Sequence, residues 1–138
     1  MLGEFFLCSD DELEPLLIET GPDGHVSCVG ANGLTPVNIA SLGALLSVAT
    51  YDELLAQCGN RHHESDGAES GVWNVPAAVA EALASNADLE PIAEQWVATE
   101  ELKRDRWQKS DGARVLAELA GLLTQQEPGQ VLWYWWSV

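Results

Sequence analysis

Positive charge is scarce in this chain. Six lysines and arginines stand against 22 aspartates and glutamates, a formal net charge of −16 over 138 residues. A surface this negative repels phosphate backbones and anionic lipid headgroups, which excludes ordinary nucleic-acid and membrane-surface binding. Long apolar runs are missing too. The longest stretch free of charge is broken by Gly, Asn, Pro and Ser, so no segment is suited to span a bilayer. Cysteines number only three, Cys8, Cys28 and Cys58, widely spaced and without a Cys-x-x-Cys pair. They read as reduced thiols of a cytoplasmic protein. Met1-Leu2-Gly3-Glu4 lacks a basic start before an apolar stretch, so no secretory signal is expected.

Motifs that carry chemistry are equally sparse. There is no Gly-x-Ser-x-Gly elbow for a nucleophile. Gly30-Ala31-Asn32-Gly33 has the look of a phosphate loop but no lysine follows it. Asp10-Asp11-Glu12 has no EF-hand spacing and reads as helix capping. His62-His63-Glu64, with Cys58 and Asp66 nearby, is the one cluster of potential metal ligands. Adjacent histidines point in different directions, and zinc requires three or four converging ligands on rigid supports, so the cluster reads as a solvated loop. No catalytic residue, metal or cofactor is assigned. The alternative kept open is a small enzyme or metal-binding protein with a site near Trp73 and His62–His63.

What is present is apolar mass in an unusual place. Val131-Leu132-Trp133-Tyr134-Trp135-Trp136-Ser137-Val138 puts three of the six tryptophans into the last six positions. Chain ends are usually polar and fray, so a tail this apolar must be covered. On an extended strand Trp133 and Trp135 face one way, and Tyr134 and Trp136 the other. A strand apolar on both faces is a central strand covered on both sides; the rival reading is a strand covered by a partner. The N-terminal Glu4-Phe5-Phe6-Leu7-Cys8 is a second apolar strand, and the two ends are expected to pair in one sheet. Trp73, Trp96 and Trp107 are expected to line the same core, with Trp107 placed to stack on neighbouring guanidinium groups.

Between these ends the pattern is mostly helical. Ser9-Asp10-Asp11-Glu12 resembles a capping box opening a helix through Leu13, Leu16 and Leu17, although Pro15 requires a later start or a split. His25 to Val29 is a candidate strand. Asn32-Gly33 is a turn, and Pro36 marks either an edge strand or a helix capped by Thr35, with preference for the helix. Further helices are expected over Ile39–Ser47, after Thr50, after Pro76, after Asp88 (Leu89, Ile92, Ala93, Trp96, Val97) and from Ser110 or Asp111 (Ala113, Leu116, Ala117, Ala120, Leu123). Residues 59–71, polar and without periodicity, read as a flexible loop. The expected architecture is α+β: one helix-rich domain over residues 1–138, packed on a small sheet that includes both terminal strands.

Charge distribution points to function. Residues 1–102 hold 18 of the 22 acids and one base, Arg61; residues 103–138 hold the other five bases and four acids. In size, acidity and absence of catalytic motifs the chain resembles bacterial toxin-neutralising immunity proteins. That resemblance implies a non-enzymatic binding protein that captures a basic protein partner. The carboxylates expected to meet it are Asp88, Glu90 and Glu94 on a helix, and Glu64, Asp66 and Glu69 in the loop. Other readings are a DNA mimic and a purely structural or oligomeric domain. A monomer or homodimer fits either.

Overall fold

Both ends of the chain are strands, and they pair along their whole length. In the computed structural model, which describes all of residues 1–138, β1 (Leu2–Cys8) runs antiparallel to β5 (Val131–Ser137), from Leu2 opposite Ser137 to Cys8 opposite Val131. Three short strands complete the sheet: β2 (Cys28–Gly30), β3 (His62–Glu64) and β4 (Ser70–Asn74). The order is β2-β1-β5-β4-β3, all neighbours antiparallel, so the tryptophan-rich strand is the centre of the sheet. That position explains its two apolar faces. Each is buried against a different layer.

On one face, called upper here, Phe5, Leu7, Leu132, Tyr134 and Trp73 join the main core of 25 buried residues. This core is roofed by α2 (Pro36–Leu45), α3 (Tyr51–Gln57), α4 (Ala77–Ser85), α5 (Glu90–Val97), α6 (Glu100–Arg104) and α7 (Lys109–Leu123). On the lower face, Phe6, Cys8, Val72, Trp133 and Trp135 join Leu17 and Ile18 of α1 (Pro15–Thr20) in a separate cluster of seven, with half-buried Leu13, Cys28 and Val131 packed against it. The tryptophans are therefore divided between two cores: Trp73, Trp96, Trp107 and Trp136 lie above the sheet, Trp133 and Trp135 below it.

Local chemistry sets the helix boundaries. Thr35 caps α2, Pro36 occupies its first turn, and the Asn38 side chain accepts from the Thr35 N–H at 2.8 Å, so the helical alternative at Pro36 is the one adopted. Thr50 Oγ1 caps α3 by accepting from Glu53 N–H at 3.2 Å. Asp88 Oδ1 accepts from Glu90 N–H at 3.1 Å where α5 begins. The last helix starts slightly before its expected position, at Lys109, because Asp111 reaches back to the Gln108 N–H at 2.7 Å. Its buried stripe is Val115, Leu116, Leu119, Leu122 and Leu123, while Ala117 is exposed; the small alanines left the stripe's rotation ambiguous in the sequence. Trp96 donates its indole N–H to Asn38 C=O at 3.0 Å and so ties α5 to α2. Trp107 sets its ring edge-on to Trp96, with centroids 5.6 Å apart, where guanidinium stacking was expected.

Three expectations shift. Residues 59–71 are not loop throughout: they contain β3 and the start of β4, joined as a hairpin. Ser65 and Ser70 clasp it, with Ser65 N–H on Ser70 C=O at 2.9 Å and Ser70 N–H on Ser65 Oγ at 3.2 Å. As an exposed edge strand, His62–Glu64 has no hydrophobic alternation to betray it. The helix expected from Ser9 is split into a 3₁₀ turn, Asp10–Glu12, and α1, whose first residue is Pro15; the ring that would break a helix interior is harmless there. The strand expected from His25 begins only at Cys28, because His25 is tied into a turn by its N–H bond to Pro22 C=O at 2.9 Å.

One polar knot locks the upper face. Buried Tyr134 donates its hydroxyl proton to Ala31 C=O at 2.7 Å and accepts from Leu34 N–H at 3.1 Å. The ring crosses the adjacent strand at Gly3, where a Cβ would lie 1.7 Å from the hydroxyl oxygen. Glycine is required there by space. The backbone is ordinary extended strand.

Candidate functional site

Exposed carboxylates gather where α1 meets the β3–β4 hairpin. A cavity of about 270 Å³ opens between them, lined by Pro15, Ile18 and Glu19 on one wall and His63, Glu64 and Asp66 on the other. Two hydrogen bonds tie the walls together. Ser70 Oγ donates to Ile18 C=O at 2.8 Å, and the Trp135 indole N–H donates to the same carbonyl at 2.8 Å, so hairpin, central strand and α1 share one acceptor. Around this cavity the chain 10–19 exposes Asp10, Asp11, Glu12, Glu14 and Glu19, and the hairpin exposes Glu64, Asp66 and Glu69. The only Lys or Arg on these segments is Arg61, which pairs with Asp10 and covers the Trp133 ring at 5.5 Å from its centroid. Its charge is already used. The face is left strongly negative.

The six carboxylates expected to bind a partner fall into two separate groups. Glu64, Asp66 and Glu69 lie on the hairpin beside the cavity, all exposed. Asp88, Glu90 and Glu94 lie at the start of α5, which packs mainly on α7 and α2. There Glu94 pairs with Lys109 at 3.6 Å and Asp88 caps the helix, so this group has weaker free charge. Glu19 and the acids at 10–14 are the part the sequence reading missed as a surface. Capping explained Asp10–Glu12 locally, and only the fold carries them to the hairpin.

The histidine cluster does not come together. His62 pairs with Trp73 and His63 with Val72, so the pleat sends the two side chains to opposite sheet faces. His63 lies on the lower side, with its ring centroid 6.1 Å from that of Trp133. Cys58 is buried, its thiol donating to Asn74 C=O at 3.7 Å. The one group of ligand-type atoms that does converge, all within 4.8 Å, is Glu4, Asp23 and Cys28 at the β2 edge. There the Cys28 thiol donates to Glu4 Oε2 at 2.8 Å.

Every shifted group in the molecule is an acid held protonated. Burial pushes the Cys58 thiol up to about 12. Burial, then the Glu4 hydrogen bond and the charges of Glu4 and Asp23, push Cys28 up to about 12 as well. Cys8 is raised by burial and by the negative charges of Glu12, Asp10 and Glu14. Tyr134 is raised to about 12 by burial, partly offset by its bond from Leu34. None of these is an activated nucleophile at neutral pH. The consequence is alkaline. Unfolded thiols ionise near 9 and unfolded tyrosine near 10, while the native groups keep their protons to about 12. The stability these groups contribute is therefore constant up to about pH 8.5 and falls above about 9, approaching 1.4 kcal/mol per pH unit for each well-buried group once its unfolded form ionises. Denaturant melts from pH 7 to 11 check this; a midpoint unchanged to pH 11 contradicts the burial of Cys58 and Tyr134.

No helix is long and apolar enough to cross a membrane. Comparison of the chain with protein-family models, with curated proteins and with solved structures finds no match in any of the three.

Proposed function

We propose that this chain is a non-enzymatic acidic binding protein that captures a basic protein partner, in the manner of the bacterial toxin-neutralising immunity proteins. The observation that carries the reading is the face around the α1–hairpin cavity, where exposed carboxylates from two elements meet and the single base is already paired. Concentrated like charge of this kind steers a basic partner and fixes its register. The cavity has the size and sign to take a lysine or arginine side chain of that partner, between Glu19 on one wall and Asp66 on the other. Three free thiols support a reducing, cytoplasmic setting.

In the test, the immobilised chain is exposed to native cell lysate and washed at low salt. A basic protein is expected to remain bound and to elute as salt rises, because exposed ion pairs weaken within the shortened screening length. The variant Glu64→Lys/Asp66→Lys, on an exposed hairpin, is expected to fold and to lose that protein. Equal recovery by the variant, or retention that ignores salt, contradicts the reading.

A further inference from the structure

We infer that residues 9–27 form a strap that opens from the lower face of the sheet as a unit while the upper core stays folded. The lower cluster has seven buried members, of which the strap supplies Leu17 and Ile18, each 9% exposed, with half-buried Leu13 beside them; the other five belong to the sheet. Its single α-helix is six residues long, Pro15–Thr20, below the length at which a helix persists unaided. The strap is pinned to the sheet at few points. Ile18 C=O accepts from Ser70 Oγ and from the Trp135 indole, Gly21 lies against the Trp135 ring, and Asp10 pairs with Arg61 at the surface. The upper core, in contrast, is a network of 25 buried residues drawn from strands and six helices.

Charge loads the strap against its seat. Asp10, Asp11, Glu12, Glu14, Glu19 and Asp23 all lie on it, with no lysine or arginine. Facing it are Arg61, already paired, together with His63 and Asp66 of the hairpin and Glu4 of β1. Burial raises the Cys8 thiol most, and the charges of Glu12, Asp10 and Glu14 add to that rise. Like charge on both sides of the seam favours opening, and mobile ions screen it. Segments with few buried contacts open locally at a free energy well below that of global unfolding. The open form bares Trp133 and Trp135. The inference stands on packing and charge within this chain and does not depend on any partner.

Two indole N–H groups read the strap separately from the core. Trp135 is protected by the strap's Ile18 carbonyl, whereas Trp96 is protected by Asn38 in the upper core. Hydrogen exchange followed by NMR on the full chain at low salt is expected to show Trp135 exchanging at least ~100-fold faster than Trp96, with weaker denaturant dependence. Added salt, or the variant Asp11→Asn/Glu12→Gln/Glu14→Gln, is expected to slow Trp135 and leave Trp96 unchanged. Equal rates with equal denaturant dependence overturn the separate strap. A Trp135 rate that responds neither to salt nor to the neutralised variant overturns its electrostatic loading.

Discussion

Deleting residues 131–138 leaves a chain with no cooperative unfolding transition. The segment is the central strand, bonded to β1 on one side and β4 on the other, so its loss separates the sheet into two unconnected pairs. It also removes Leu132, Trp133, Tyr134 and Trp135, all at most 5% exposed. A buried aromatic side chain covers about 150–250 Å². At about 25 cal/mol per Å², each of the three aromatics contributes about 4–6 kcal/mol, an upper estimate because unfolded chains are partly collapsed. Their sum matches or exceeds the roughly 5–15 kcal/mol that keeps a domain folded. Near-ultraviolet circular dichroism and a thermal melt check this. A truncated chain with a sigmoidal melt would mean that the tail covers a partner and not its own core.

Gly3→Ala, the addition of one methyl group, comes second in expected effect. The new carbon would lie 1.7 Å from Tyr134 Oη, 2.3 Å from Cζ and 2.9 Å from Ala31 C=O. The tyrosine cannot retreat, because its ring packs edge-on against Phe5 at 4.9 Å and against Trp73 at 4.8 Å, and its hydroxyl is bonded twice. The strand must then shift from its register or the tyrosine must abandon both bonds, leaving a buried N–H and C=O unpaired. Overpacking of this kind costs about 3 kcal/mol. Urea melts of Gly3→Ala and of Gly30→Ala form the control pair, since Gly30 has open space where its Cβ would go. Equal midpoints for the two would contradict the knot.

The reach of the sequence follows the period of its apolar residues. Strands β1 and β5 were legible as dense apolar runs at opposite ends, and their pairing followed from a tail that had to be covered. Helices α2 and α3 were legible through Thr35-Pro36 and Thr50, whose capping roles are local. β3 was not, because an edge strand of His62-His63-Glu64 carries no apolar alternation and is specified by its pairing with Trp73, Val72 and Gly71. Nor was the division of the tryptophans between two cores, which depends on what covers each face. For the site, the hairpin acids Glu64, Asp66 and Glu69 were legible as charge, but their neighbours at 10–19 come from a part of the chain some fifty residues away. Long-range contacts such as Ser70 to Ile18 leave no local signature.

The paired comparison of the two acidic groups tests the function most directly. Association of the recovered basic protein is followed by stopped flow with three forms of the chain: unaltered, Glu64→Lys/Asp66→Lys, and Asp88→Lys/Glu90→Lys. Reversing the hairpin pair is expected to slow association about 10-fold or more at low salt, with the difference shrinking as salt rises. The α5 pair, remote from the cavity, is expected to change the rate by far less. An equal loss for both pairs would reduce the effect to net charge, and a loss confined to the α5 pair would place the capturing surface on the opposite group.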